Sequence, residues 1–328
     1  MVMQRSTLNI AGLAALLALR LTPAALATEN VPHAPFAEWA DLPLPGQLVA
    51  GLEYSESESY HIWANGGQRY NIDYIKSGEH YGIDINQGYI ALQYGLTRKW
   101  ALDLNVGYTT SGWRAFSNEG NTPGDVKSTT GLMDYSFGVR YQIFNEDTDT
   151  NSPWIPTLTF RAGAVLPGTY SQDLPFAPGV RAAAIEPELL AKKRFGWPGF
   201  GAYADALYRW NRTTGNDQFI ASVGFFQKIK GWELDAGYRH LQTLGGYNLY
   251  YDPGTRLLTT SDPTNPNEGF AEMREINDSV EAGFSYTTSK RHIKYSFYTR
   301  TVFNGNNSDQ KFWIGGGVEM PFQLFKRD

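Results

Sequence analysis

Apolar and polar positions alternate along most of this chain. In the segment 100–110, Trp100, Leu102, Leu104, Val106 and Tyr108 fall on one face, with Ala101, Asp103, Asn105, Gly107 and Thr109 on the other. The same two-faced pattern recurs with Met133, Tyr135, Phe137, Val139, Tyr141 and Ile143 against Asp134, Ser136, Gly138, Arg140 and Gln142. It returns with Trp232, Leu234, Ala236 and Tyr238 against Glu233, Asp235, Gly237 and Arg239, and with Val280, Ala282, Phe284 and Tyr286 against Glu281, Gly283 and Ser285. A period of two is the signature of a strand with unlike faces. The pattern predicts strands over 81–96, 100–112, 129–143, 154–166, 182–195, 200–211, 217–229, 232–243, 272–287, 292–303 and 309–325. Segment 47–75 then supplies one strand more, for twelve, or three more, for fourteen.

These segments are too long for an ordinary globular sheet, whose strands run to about 5–6 residues. Tight links at 98–99, 196–199, 230–231 and 288–291 alternate with longer ones, rich in Gly, Asn, Pro and Asp, at 113–128, 167–181 and 244–271. That alternation is what periplasmic turns and extracellular loops produce. The link 144–153 is long for such a turn, and 211–217 and 304–309 are short for outer loops. The expected fold is all-β, a transmembrane antiparallel β-barrel of about twelve strands, with apolar faces meeting lipid and alternate positions lining the interior. A soluble sandwich or propeller is the competing architecture.

The start of the chain points to export. Residues 1–27 hold Arg5, an uncharged apolar run over 6–19, and an Ala25-Leu26-Ala27 ending, the layout of a cleaved signal peptide. After it, the longest stretch free of Asp, Glu, Lys and Arg is 13 residues, 85–97, too short for a membrane helix. An exported chain with unpaired backbone groups crosses lipid only as a closed barrel. The expected organisation is therefore 1–27 signal peptide, 28–46 periplasmic lead-in or plug with four prolines, and 47–328 outer-membrane barrel.

Composition changes the picture only at its edges. The 328 residues contain no cysteine, which removes disulfides, thiolate nucleophiles and Cys-ligated metals. A net charge of −5 without a basic patch argues against nucleic acid. Aromatics at 14% beside a polar average suit a barrel that shows rings to lipid.

In the expected register the lumen-lining residues are Asp103, Asp134, Arg140, Arg161, Glu186, Glu188, Asp205, Arg209, Glu233, Asp235, Arg239, Glu275, Glu281, Lys294, Arg300 and Glu319. Tyr89, Tyr203, Leu207, Tyr298 and Trp313 join them. Both signs of charge favour interstrand ion pairs. Such a wall either fills and stiffens the barrel or shapes the passage of a solute, with inward rings suiting an apolar or aromatic one. Catalytic motifs are absent: the five histidines form no HExxH, and no G-x-S-x-G occurs. An outer-membrane lipid hydrolase would need His240 or His292 beside Ser222 or Ser296. No catalytic residue, metal or cofactor is expected.

The stretch IALQYGLTRKWALDLNVGY (90–108), with its Tyr-Gly-Leu-Thr turn, resembles the outer-membrane family named for the meta-pathway of phenol degradation. PGTYSQDLPFAPG (167–179), IEPELLAKKRFGWPGFGAYADALYRW (185–210) and FFQKIKGWELDAGYRH (225–240) are similar to that family's hairpins. The chain departs in ending Lys326-Arg327-Asp328 where most barrels end in an aromatic residue, although Phe322 and Phe325 lie close by. The resemblance implies kinship with hydrophobic-compound and fatty-acid transport channels. It implies passive uptake of small hydrophobic or aromatic molecules, with such a solute and outer-membrane lipid as partners. A general hydrophilic porin and a lipid hydrolase are the alternatives.

Overall fold

The computed structural model describes residues 39–325 except 65, 77–78, 114–126, 150–153, 173, 175–176, 197, 214, 255–256 and 262–268. The expected signal peptide and most of the lead-in lie outside the described residues. Twelve strands close on themselves. They are β1 Gln47–Ala64, β2 Ile83–Gly95, β3 Trp100–Trp113, β4 Tyr135–Phe144, β5 Thr157–Leu166 and β6 Ala184–Arg194. The circuit continues through β7 Phe200–Asn211, β8 Gln218–Ile229, β9 Trp232–Thr243, β10 Ile276–Thr287, β11 Lys294–Asn306 and β12 Ser308–Gln323. Each pairs antiparallel with its neighbour in sequence, and β12 pairs with β1, from Gln47 opposite Gln323 up to Trp63 opposite Ser308. The seam leaves no edge strand exposed, the condition for backbone to sit in lipid.

Alternation becomes two faces. Along β3, Trp100, Leu102 and Tyr108 are exposed while Ala101, Asp103, Gly107 and Thr109 are buried. Exposed Leu, Val, Ile and aromatic side chains girdle the outside, among them Phe137, Val139, Leu189, Val223, Leu234, Val280 and Phe297. An apolar exterior on a closed barrel identifies it as a transmembrane one of the bacterial outer-membrane type.

Turn chemistry fits the turn lengths. Between β8 and β9 only Lys230 and Gly231 remain, and both have positive φ (49° and 89°), the mirror-image turn that matches strand twist. At the other end Asn307 (φ 52°) alone joins β11 to β12. That explains why 304–309 is short for an outer loop: β11 and β12 run nearly without interruption.

Short strands decorate the end opposite the chain termini. Gln68–Asn71 pairs with β1, and Lys127–Leu132 pairs with the top of β3. A hairpin of Leu249–Asp252 and Leu257–Thr260 and a 3-10 turn Phe270–Glu272 belong to the long link between β9 and β10.

One expectation needs correction. The run 129–143 is not one strand: it breaks at Met133 and Asp134, so that Lys127–Leu132 and β4 pair separately with β3. Leu132 is exposed, and Met133 and Asp134 are then both buried in succession. Met133 therefore does not face lipid; its amide donates to the Gly107 carbonyl (2.8 Å), which holds the break closed. Segment 47–75 contributes one barrel strand, giving twelve and excluding fourteen.

Candidate functional site

The buried face of the barrel carries two unlike regions, one above the other. The lower is a belt of charge. Arg161 on β5 donates through Nε to Asp103 Oδ1 on β3 (2.9 Å), and its Nη1 lies 3.3 Å from Glu186 and 3.5 Å from Glu188 on β6. Glu186 in turn accepts from Arg209 Nε on β7 (2.7 Å), and Arg209 Nη1 reaches Gln218 on β8 (3.1 Å). This ladder climbs through six strands because period two puts every second side chain on the same wall. Gly138 and Gly163 make room for it: a Cβ on either would meet the Arg161 guanidinium at 2.7 Å or closer.

The other expected residues sit on the same face. Glu281 accepts from the Tyr203 hydroxyl (3.2 Å) and lies beside Arg239 and Arg300. Asp205 also lies beside Arg239, while Asp235 occupies the alternate position on the same strand face. Lys294 pairs with Glu319 (2.6 Å), and Glu233 with Lys228 (2.9 Å). Asp134 accepts from the Tyr170 hydroxyl (3.3 Å), which burial and that carboxylate together hold well above its usual ionisation range. Arg140 reaches Gln93 (3.0 Å), and Arg300 lies 5.8 Å from the centre of the Trp313 ring.

The inward rings do not cross the bore. Tyr203 lies flat over Gly224 and Gly237 of the next two strands, where a Cβ would come within 2.5 Å of its hydroxyl. Tyr298 covers Gly315 and donates to Glu53 (2.6 Å); Tyr89 covers Gly107. Arg140 and Tyr298 are 0% exposed and Arg209 is 1%, each covered by its neighbours, Arg140 by Trp39.

Above the belt the interior turns apolar. Ile62, Ile83, Ile85, Trp113 and Trp313 come from the tops of β1, β2, β3 and β12. They pack with Leu249, Tyr251 and Leu258 of the outer hairpin and with Phe270 of the 3-10 turn. Beside this cluster a cavity of about 90 Å³ is walled by Leu174, Leu241, Leu249, Leu258, Phe270 and Met273, with Arg209, Gln218, Glu275, Asp309 and Lys311 as its polar side. Those charges are internally compensated: Arg209 by Glu186 (2.6 Å), Lys311 by Asp309 (3.1 Å). Apolar walls and oriented polar groups meet in this cavity, which is smaller than the roughly 300–1,000 Å³ of an ordinary small-molecule site.

This chamber was not among the expected site residues, apart from Trp313, Arg209 and Glu275. About half its wall comes from two links, 167–181 and 244–271, read only as polar loops. Ile62, Ile83 and Ile85, apolar positions on the otherwise polar inner faces of β1 and β2, were the available sign.

The hydrolase pairing does not form. Ser222 is buried on the inner face of β8, whereas His240 on β9 is paired through Nδ1 with Asp278 (2.8 Å) on the outer face. His292 occupies the exposed turn between β10 and β11. Among the described residues no group of three potential metal ligands occurs.

No protein-family model matches the chain, so the particular family suggested by its motifs rests on those motifs alone. No curated protein matches it either. Solved structures do. An outer-membrane channel from Pseudomonas putida F1 is 14% identical, with 89% of this chain and 100% of that one covered at a TM-score of 0.63. The transport unit of the autotransporter AIDA-I from Escherichia coli is 9% identical over 84% and 90%, with a TM-score of 0.47. LpxR from Salmonella typhimurium is 10% identical over 82% and 99%, with a TM-score of 0.45. At such identity the first likeness is one of fold, and the fold is that of a bacterial outer-membrane β-barrel.

Proposed function

We propose that this barrel is a channel for passive uptake of small hydrophobic or aromatic compounds across the outer membrane. The observation that carries the reading is the apolar chamber at the outer end, walled by Leu174, Leu241, Leu249, Leu258 and Phe270 and floored by compensated charge. A solute leaving water gains about 25 cal/mol for each Å² of apolar surface it buries there. A general porin works otherwise, through a water-filled polar bore. Arg140, Arg209 and Tyr298, shielded from solvent, are unlike the wetted wall of such a bore.

The test is uptake into intact cells that make the protein, using radiolabelled toluene and radiolabelled glucose. Native protein raises toluene entry at least fivefold over cells without it and leaves glucose entry unchanged. Phe270→Asp together with Leu258→Asp returns toluene entry to background while the barrel still inserts. Equal stimulation of glucose and toluene, or full toluene entry through the doubly substituted barrel, overturns the reading.

A further inference from the structure

We infer that residues 39–46 form a releasable strap that closes the inner mouth of the barrel, making it a gated conduit. Gly46 and Gln47 stand at the foot of β1, where the Gly46 amide donates to the Gly95 carbonyl at the foot of β2 (2.7 Å). From there the chain runs across the mouth. Leu44 passes so close to Gly95 that a Cβ on that glycine would meet its carbonyl at 2.2 Å. Pro43 and Pro45 lack amide donors, so this stretch cannot join the wall as a regular ladder strand.

On the far side the strap is held by β4, β5 and β6. The Ala40 carbonyl accepts from Thr159 Oγ1 (2.6 Å) and Gln142 Nε2 (3.3 Å). The Trp39 carbonyl accepts from Arg140 Nη2, whose guanidinium lies 5.1 Å from the centre of the Trp39 ring. Asp41 pairs with Lys192. Ala40 is buried among these groups. Six steps of the chain take Asp41 to Gln47, a reach of roughly 20 Å at full extension. That is enough to take the chain from β1 to β6, five strands around a ring of twelve.

The hold is built to be broken. The strap's polar contacts with the wall sit at its ends, with only Pro43 buried between them; Asp41 is 41% exposed at its side chain, and Leu44 remains open to solvent. The groups that grip it, Arg140, Gln142, Thr159 and Lys192, are those that water would hydrate once the strap swings out. Its removal therefore exposes a polar mouth, and the apolar surface it unburies is confined to Trp39, Ala40 and Pro43 of the strap itself and what they cover.

Ion current through single barrels in planar bilayers tests this, and it reads the bore whatever solute the chamber takes. Deletion of residues 39–44 raises the time-averaged current at least tenfold over the native chain. D41K and K192D each do the same, because each sets like charges against one another. The exchange D41K/K192D restores the pair with its sign reversed and returns the current to within twofold of native, a rescue that a merely damaged barrel does not show. Native current in the deletion and in both single variants overturns the inference, as does a double variant that conducts like the singles.

Discussion

The two halves of the interior invert one another. In the lower half the outside is apolar, with Leu102, Phe137, Val139 and Leu234 exposed, and the inside holds the Asp103–Arg161–Glu186–Arg209 ladder. In the upper half of β1 to β3 the outside carries Glu56, Glu58 and Thr110, while the inside holds Ile62, Ile83, Ile85 and Trp113. The same strands pass through both regimes. What changes is the solvent outside: lipid below, water above. The chamber thus belongs to a part of the wall that has left the membrane. The boundary is uneven, since on β6 to β8 exposed Ile185, Trp210 and Phe219 carry the apolar surface close to the strand tops.

The sharpest way to break the comparison is to remove the centre of the belt. Arg161→Leu leaves Asp103 buried without its ion-pair partner and Glu186 with Arg209 alone, a loss of about 3–5 kcal/mol. Urea unfolding in lipid vesicles reads it as a lowered midpoint. Next is the lipid face of the same level: Phe137→Arg places a charge near mid-membrane and costs about 2–4 kcal/mol in the same assay.

Much of this was legible in the sequence. Period two alone placed Asp103, Arg161, Glu186 and Arg209 on one face, because a ladder needs only parity along each strand. Parity also fails at breaks, as in β1, where Ser59 and Ile62 both turn inward across a bulge. At Met133 and Asp134 two successive side chains turn inward, and nothing in a run of alternating residues marks that break. The chamber was hidden for a different reason. Leu249, Leu258 and Phe270 lie in a link that reads as polar, and they meet Ile62 and Trp113 only through closure of the barrel. The inward tyrosines were placed on the right face, but their function changes with the glycines opposite: Tyr203 and Tyr298 lie against the wall. Which neighbouring glycine receives a ring depends on strand register, which pattern does not supply.

Smaller effects refine the contrast. Gly237→Val pushes the Tyr203 ring off the wall and costs about 1–3 kcal/mol through overpacking, again read by unfolding. Glu58→Arg, on the upper exterior, changes stability by about 1 kcal/mol at most, because the position stands at or beyond the interface. The pair Phe137→Arg and Glu58→Arg is thus the same chemical change at two heights with two different outcomes.

The absence of cysteine makes the most direct measurement clean. Single cysteines at Leu102, Phe137, Glu58 and Ser128, each carrying a nitroxide in vesicles, are compared for collision with oxygen, which concentrates in lipid, and with a water-soluble nickel chelate. The account predicts that labels at 102 and 137 respond to oxygen and not to nickel, and that labels at 58 and 128 respond to nickel. Labels at 58 and 128 that behave like those at 102 and 137 would place the whole wall in lipid and contradict it.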